Sequence, residues 1–113
     1  MATRKNISSY HKKVKELLVR IFPTDVIIEE SPIPAEYLYL DFYLPHRQLA
    51  IEVHGEQHYK FNNHFFDSQM DFFQAQARDR RKLNWCVEQS IDLVILNYNE
   101  DMNEWERKIR NRA

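Results

Sequence analysis

Two carboxylates and two histidines stand close together in the middle of the chain: Asp41, Glu52, His54 and His58. Carboxylate oxygens bind a hard cation such as Mg²⁺, leaving water and phosphate to fill its other positions. A cation held this way can activate water and stabilise charge on a phosphoryl group. Imidazole exchanges protons near neutral pH, so a histidine beside such a cation can serve as a base. The types and spacing therefore point to metal-dependent phosphodiester hydrolysis.

The surrounding elements must bring these groups together. Tyr37–Leu44 is aromatic-rich and alternates, which predicts a strand carrying Asp41. Pro45-His46-Arg47 predicts a turn. Gln48–Val53 predicts the next strand, with Leu49, Ile51 and Val53 on one face. Glu52 and His54 then share the opposite face, because side chains alternate along a strand. A hairpin of these two strands brings Asp41, Glu52 and His54 to one spot. Gly55, the one glycine, follows at once and is expected to take a backbone conformation other residues resist.

The rest of the chain supplies the frame. Residues 8–22 predict a helix, capped by Ser8 or Ser9, with Val14, Leu17, Leu18 and Ile21 at helical spacing and Pro23 as its stop. Val26–Glu30 predicts a short strand and Ser31-Pro32-Ile33-Pro34 a loop. Residues 56–69 read as irregular, Met70–Gln89 as a long helix, Ile91–Leu96 as a buried strand and Met102–Arg112 as a final helix. The order α-β-β-β-α-β-α implies an α/β (α+β) fold, a mixed sheet flanked by helices. At 113 residues and 43% hydrophobic, the chain suits a single domain, 1–113, with one core.

The strand Asp and the following block resemble the PD-(D/E)XK nuclease superfamily. There an Asp on one strand precedes (D/E)-x-K on the next; here His54 takes the lysine position. With Glu16 on the first helix, Val53-His54-Gly55 and then His58, the pattern is most similar to the very-short-patch mismatch-repair endonucleases and related homing-type nucleases. Arg78-Asp79-Arg80-Arg81, Leu83 and Asp92-Leu93-Val94-Ile95 resemble that branch's helix-to-strand segment.

The resemblance implies a restriction-endonuclease-like core and an Mg²⁺-dependent endodeoxyribonuclease, with Mn²⁺ as the other candidate. It implies Asp41 as main metal ligand, joined by the Val53 carbonyl or by Glu52, which fits the superfamily's acidic position. Glu16 and His54 would hold metal-bound water, and His58 would be the general base. That branch also carries a structural zinc, for which a lone Cys86 leaves no ligand set, so no zinc is expected.

Partners follow from charge. The net charge of −1 gives no global case for nucleic acid. Basic residues are clustered, however, and Arg78, Arg80, Arg81 and Lys82 are candidate phosphate contacts for DNA. A helix cannot aim all four one way. Tyr59, Phe61, Phe65 and Phe66 could stack on bases or cover the core. Specificity would come from DNA structure, from homodimerisation or from a recruiting protein. No apolar run approaches the roughly 20 residues of a membrane span, and the N-terminus lacks a signal peptide's apolar segment. With no disulfide to form, a cytoplasmic location is expected.

Plainer readings stand beside these. Asp41 could twist a strand edge, Glu52 could face solvent, the histidines could be satisfied polar groups, and Glu16 could pair with nearby lysines. Asp79 could pair with its flanking arginines. A non-catalytic DNA-binding or assembly protein on the same fold is the rival function, followed by a histidine-based metal sensor.

Overall fold

The computed structural model describes residues 2–34, 36–55 and 68–112. Its elements run α1 Ala2–Ile21, β1 Ile28–Ile33, β2 Leu38–Leu44, β3 Leu49–His54, α2 Gln69–Glu88, β4 Asp92–Asn97 and α3 Met102–Arg112. The class is mixed α+β, in the expected order. One four-stranded sheet runs β1-β2-β3-β4. The first two pairings are antiparallel and β3–β4 is parallel, so α2 is the crossover that a parallel pair requires.

Local chemistry sets the boundaries. Pro23 has no N–H to continue α1, and the Phe22 N–H makes the last helical bond, to the Leu18 carbonyl at 2.8 Å. The β2–β3 loop turns through an Arg47 N–H to Leu44 carbonyl bond, followed by Gln48 at φ 49. Ser68 caps α2 by accepting the Asp71 N–H at 3.2 Å. The other end of α2 closes with Ser90 at φ 58 and the Ile91 N–H on the Cys86 carbonyl.

Three expectations are corrected. Helix α1 begins at Ala2 rather than at residue 8. Ser31, Pro32 and Ile33 belong to β1 rather than a loop; β1 is an edge strand, where a residue without an N–H is tolerated. Gly55 does not have a positive φ; the positive-φ residues are Glu30, Tyr37, Gln48 and Ser90. Gly55 is buried.

The two faces of the sheet are packed differently. On one, Val14, Leu17 and Leu18 of α1 and Trp105 and Ile109 of α3 meet Phe42, Leu44, Leu49, Ile51, Val53, Val94 and Leu96. On the other, α2 buries only Phe72 and Cys86, and the apolar cluster there is Ile33, Leu38, Leu40, Ala50, Cys86 and Ile91. Helix α3 also covers the outer edge of β4. Lys108 Nζ donates to the Ile95 carbonyl at 2.6 Å and the Trp105 indole N–H to the Asn97 carbonyl at 3.0 Å. Those acceptors are thereby removed from pairing with another strand.

Strand β2 changes face partway. Leu38 and Leu40 pack in the α2-side cluster, whereas Phe42 and Leu44 pack in the other. Regular alternation would put all four on one side. The break falls at Asp41. Its β1 counterpart Glu30, the one position skipped in an otherwise continuous register, has φ 50, a left-handed conformation that is strained for a residue with a Cβ.

Candidate functional site

The break in β2 builds the site. The β2–β3 ladder pairs Leu44 with Leu49, Tyr43 with Ala50 and Phe42 with Ile51, then stops. Beyond it, side chains replace backbone partners. The Asp41 N–H donates to Glu52 Oε2 at 2.7 Å. The Val53 N–H donates to Asp41 Oδ2 at 2.8 Å. Each carboxylate thus holds an amide of the opposite strand, and the two acids are fixed as a pair across the gap. A strand residue's N–H and C=O point to the same side, so the Val53 carbonyl is aimed into this gap as well.

Helix α2 closes the site from above. Lys82 Nζ donates to Glu52 Oε1 at 2.8 Å. Glu52, His54 and Asp79 each present a ligand atom, all within 4.8 Å of one another. Glu52 is 3% exposed and His54 6%. Ala75, Arg78, Asp79 and Lys82 recur at helical spacing and face a cleft of about 440 Å³ whose opposite wall is the β1–β2 hairpin, with Asp41 between them. Asp79 and Lys82 also border a smaller cleft of about 190 Å³ beside Glu52 and His54.

The electrostatics are those of acids crowded out of water. Burial, reinforced by the charge of Asp41, pushes the Glu52 carboxyl up to about 7, against the pull of Lys82 and the Asp41 amide. Burial alone would lower the Lys82 ammonium. The Glu52 charge, with Asp41 and Asp79 behind it, more than reverses this and holds Lys82 above the ordinary lysine value. Lys82 therefore stays protonated at neutral pH while Glu52 titrates there. Beneath the pair, burial also pushes the Cys86 thiol up to about 11, so it is inert as a nucleophile.

The expected residues fall into three groups. Asp41, Glu52, Val53 and His54 converge. Glu16 does not: it is exposed on α1, the helix packed on the other face of the sheet. His58 lies outside the described residues, as do Tyr59, Phe61, Phe65 and Phe66. Of the four cations on α2, Arg78 and Arg80 are exposed at the two clefts, and Arg81 reaches Glu36 at 3.8 Å. Lys82 instead points inward. The sequence reading missed Asp79 and the inward role of Lys82; their helical spacing with Ala75 and Arg78 is the signal that groups them.

Comparison with known proteins adds relatives without known roles. No protein-family model matches the chain, and no solved structure matches it. It is 36% identical to Uncharacterized protein 307L of Invertebrate iridescent virus 6 over 61 residues, 54% of this chain and 31% of that one. It is 32% identical to Uncharacterized protein 033L of Invertebrate iridescent virus 3 over 68 residues, 60% of this chain and 35% of that one. The matched stretch is about a third of the length of these curated relatives. Among the described residues, no helix is long and apolar enough to cross a membrane.

Proposed function

We propose that this chain is a metal-dependent endonuclease that hydrolyses DNA phosphodiester bonds on a restriction-endonuclease-like fold. The observation that carries the reading is the convergence of Asp41, Glu52, His54, Asp79 and Lys82 where β2 leaves β3. Three carboxylates face one half-buried ammonium, and Glu52 is driven toward its neutral form. That excess of negative charge around a carboxylate shielded from water is what a divalent cation relieves.

The donor set fits such a cation. Glu52, His54 and Asp79 offer two oxygens and one nitrogen within 4.8 Å, and Asp41 with the Val53 carbonyl adjoins them. Oxygen donors suit Mg²⁺, and an imidazole among them suits Mn²⁺ as well. Bound there, the cation would supply an activated water and charge stabilisation at phosphorus. The protein supplies the rest. Arg78, at the open cleft, can hold a phosphate of the strand. Lys82, kept protonated by its acids, stands ready to neutralise charge developing on phosphoryl oxygens. In the resemblance the strand lysine is replaced by His54; Lys82 brings an ammonium to the same carboxylates from α2. His58 remains the proposed base.

One observation favours the rival reading. Both Glu52 oxygens already have partners, the Asp41 amide and Lys82, so the pair could serve as an internal tie in a non-catalytic DNA-binding or assembly protein. Cleavage of supercoiled plasmid with Mg²⁺, Mn²⁺ or EDTA, beside Asp41→Asn, separates the two. Metal-dependent relaxation or linearisation that disappears in the variant is expected. A folded protein that binds no Mn²⁺ in calorimetry and leaves plasmid intact would retire the nuclease reading.

A further inference from the structure

The acid that a cation needs is already held by an ammonium. Lys82 Nζ donates to Glu52 Oε1 at 2.8 Å, and the Asp41 N–H takes Oε2 at 2.7 Å. Glu52, His54 and Asp79 form the one ligand set among the described residues, and Glu52 is its most deeply buried member. A divalent ion such as Mg²⁺ sits about 2.1 Å from a carboxylate oxygen. On Oε1 it would therefore come within about 5 Å of the Lys82 ammonium, which is 2.8 Å from that oxygen. Two positive centres that close repel strongly where water is excluded. Lys82 and a cation thus compete for one carboxylate.

Lys82 has a second place to put its charge. It borders the smaller cleft with Glu52 and His54, and also the larger cleft with Asp41, Arg78 and Asp79. Its side chain is 17% exposed, so the ammonium on its flexible four-carbon stem is not sealed in. Arg78 lies one turn earlier on α2 and is exposed at the larger cleft. Residues four apart share a helix face, so Arg78 and Lys82 flank the same opening. A phosphate there offers Lys82 an anionic oxygen in exchange for Glu52. That exchange leaves Glu52 uncompensated beside Asp41 and Asp79, which favours a cation in its place.

We propose that Lys82 couples the two ligands of this site: it holds Glu52 in the metal-free protein and passes to a DNA phosphate beside Arg78 when a divalent cation takes Glu52. Cation and DNA then bind with positive coupling, each raising the affinity of the other by the same factor. The coupling rests on the cation site proposed above and not on cleavage.

The test is Mn²⁺ binding by calorimetry at pH 7, alone and with a 12-mer DNA duplex whose linkages are phosphorothioate, to resist hydrolysis. The parent should bind Mn²⁺ at least about 10-fold more tightly with the duplex than without it. Lys82→Met, its fold checked by circular dichroism, should bind Mn²⁺ alone at least about 5-fold more tightly than the parent, because the competing charge is gone. Its enhancement by DNA should shrink to about twofold or less. A second arm needs no metal and leaves Lys82 in place. Glu52→Gln releases the ammonium, so in EDTA the duplex should bind more tightly, with a salt dependence steeper by about one phosphate contact. Unchanged Mn²⁺ affinity on adding DNA, equal enhancement in Lys82→Met, or an unchanged salt slope in Glu52→Gln would overturn the coupling and leave the cation site standing. No Mn²⁺ binding by the folded parent, with or without DNA, would overturn both. Coupled binding with plasmid left intact would support the coupling and remove only the nuclease.

Discussion

The two faces of the sheet are made from the same strands and do opposite things. Leu49, Ile51 and Val53 of β3 look toward α1 and α3 and are sealed in an apolar cluster that includes Phe42, Leu17, Trp105 and Ile109. Ala50, Glu52 and His54 look toward α2, where the apolar cluster is smaller and two of the three are polar. Alternation along β3 thus sorts core from chemistry residue by residue. On the closed face, burial of side chains supplies stability. On the open face, a helix held by few buried side chains leaves two clefts and a set of charges that oppose one another. The face that stabilises least is the one on which the proposed function places the cation and the substrate.

The sharpest way to break this division is to strike the open face and look for loss of chemistry with the fold retained. Lys82→Met removes the half-buried ammonium while keeping a long apolar stem. Metal-dependent cleavage is expected to fall by about 10²–10³-fold, the usual scale for one charge-stabilising group. Below pH 7 the fold should survive, because Glu52 can take up a proton instead of standing as an unpaired charge. Plasmid cleavage and a melting curve on one preparation check both. Retained cleavage would make Lys82 a structural tie only.

The complementary strike is on the closed face. Phe42 is fully buried, with the His11 ring stacked on it at 4.3 Å between centroids. Phe42→Ala should cost about 3–5 kcal/mol in urea unfolding, enough to unfold much of a marginally stable domain. Phe42 sits directly after Asp41, so activity should be lost through unfolding and recover when stabilising salt or osmolyte restores the fold. A loss below 1 kcal/mol would mean that the core is not where the burial places it.

This division was legible in the sequence where it depends on parity. Leu49, Ile51 and Val53 alternate with Glu52 and His54, so their faces follow from the chain alone, and Asp41 on the neighbouring strand follows from the hairpin. What was not legible depends on distant partners. Pro32 reads as a strand breaker until β1 is known to be an edge. The helical start at Ala2 has no apolar period to announce it. Asp79 reads as a partner of its flanking arginines and Lys82 as a phosphate contact, because nothing local says that α2 crosses over β3. Gly55 reads as a special backbone position, yet Glu30 carries the strained φ, beside the residue where β2 changes face.

Glu52 gives the comparison a pH axis. Its folded value of about 7 lies above the ordinary 4.5, so between those values the folded protein holds a proton that the unfolded chain has lost. Stability should therefore fall as pH rises from about 4.5 to 7 and level off above, by roughly 3 kcal/mol in the metal-free protein. Glu29 has the opposite sign. Hydrogen bonds from Lys15 and His11 hold it below the ordinary value, so its contribution is present above about 4.5 and lost at more acid pH, outside this window. Chemical denaturation from pH 4.5 to 8, comparing the parent with Glu52→Gln, should show the slope in the parent and its loss in the variant. Added Mn²⁺ should stabilise the parent more above pH 7 than below, since binding demands the ionised acid. A parallel slope in the variant would move the effect to another group.

The smallest expected effect tests whether the open side of α2 is in fact open. Val87 is 68% exposed near the end of that helix, while Ile109 on α3 is fully buried. Both are β-branched residues in helices, so replacement by Ala relieves similar rotamer restriction and gains a few tenths of a kcal/mol of helix propensity. At Ile109 that gain is overwhelmed by a cavity, and a loss of about 2–5 kcal/mol is expected. At Val87 there is no cavity to make, so Val87→Ala should change stability by less than about 0.5 kcal/mol, on the stabilising side if anything. Melting curves at two protein concentrations tenfold apart complete the test. A loss above 1 kcal/mol that grows with concentration would mean that Val87 is covered by a second copy in solution, and the outer side of α2 would then be an interface between chains.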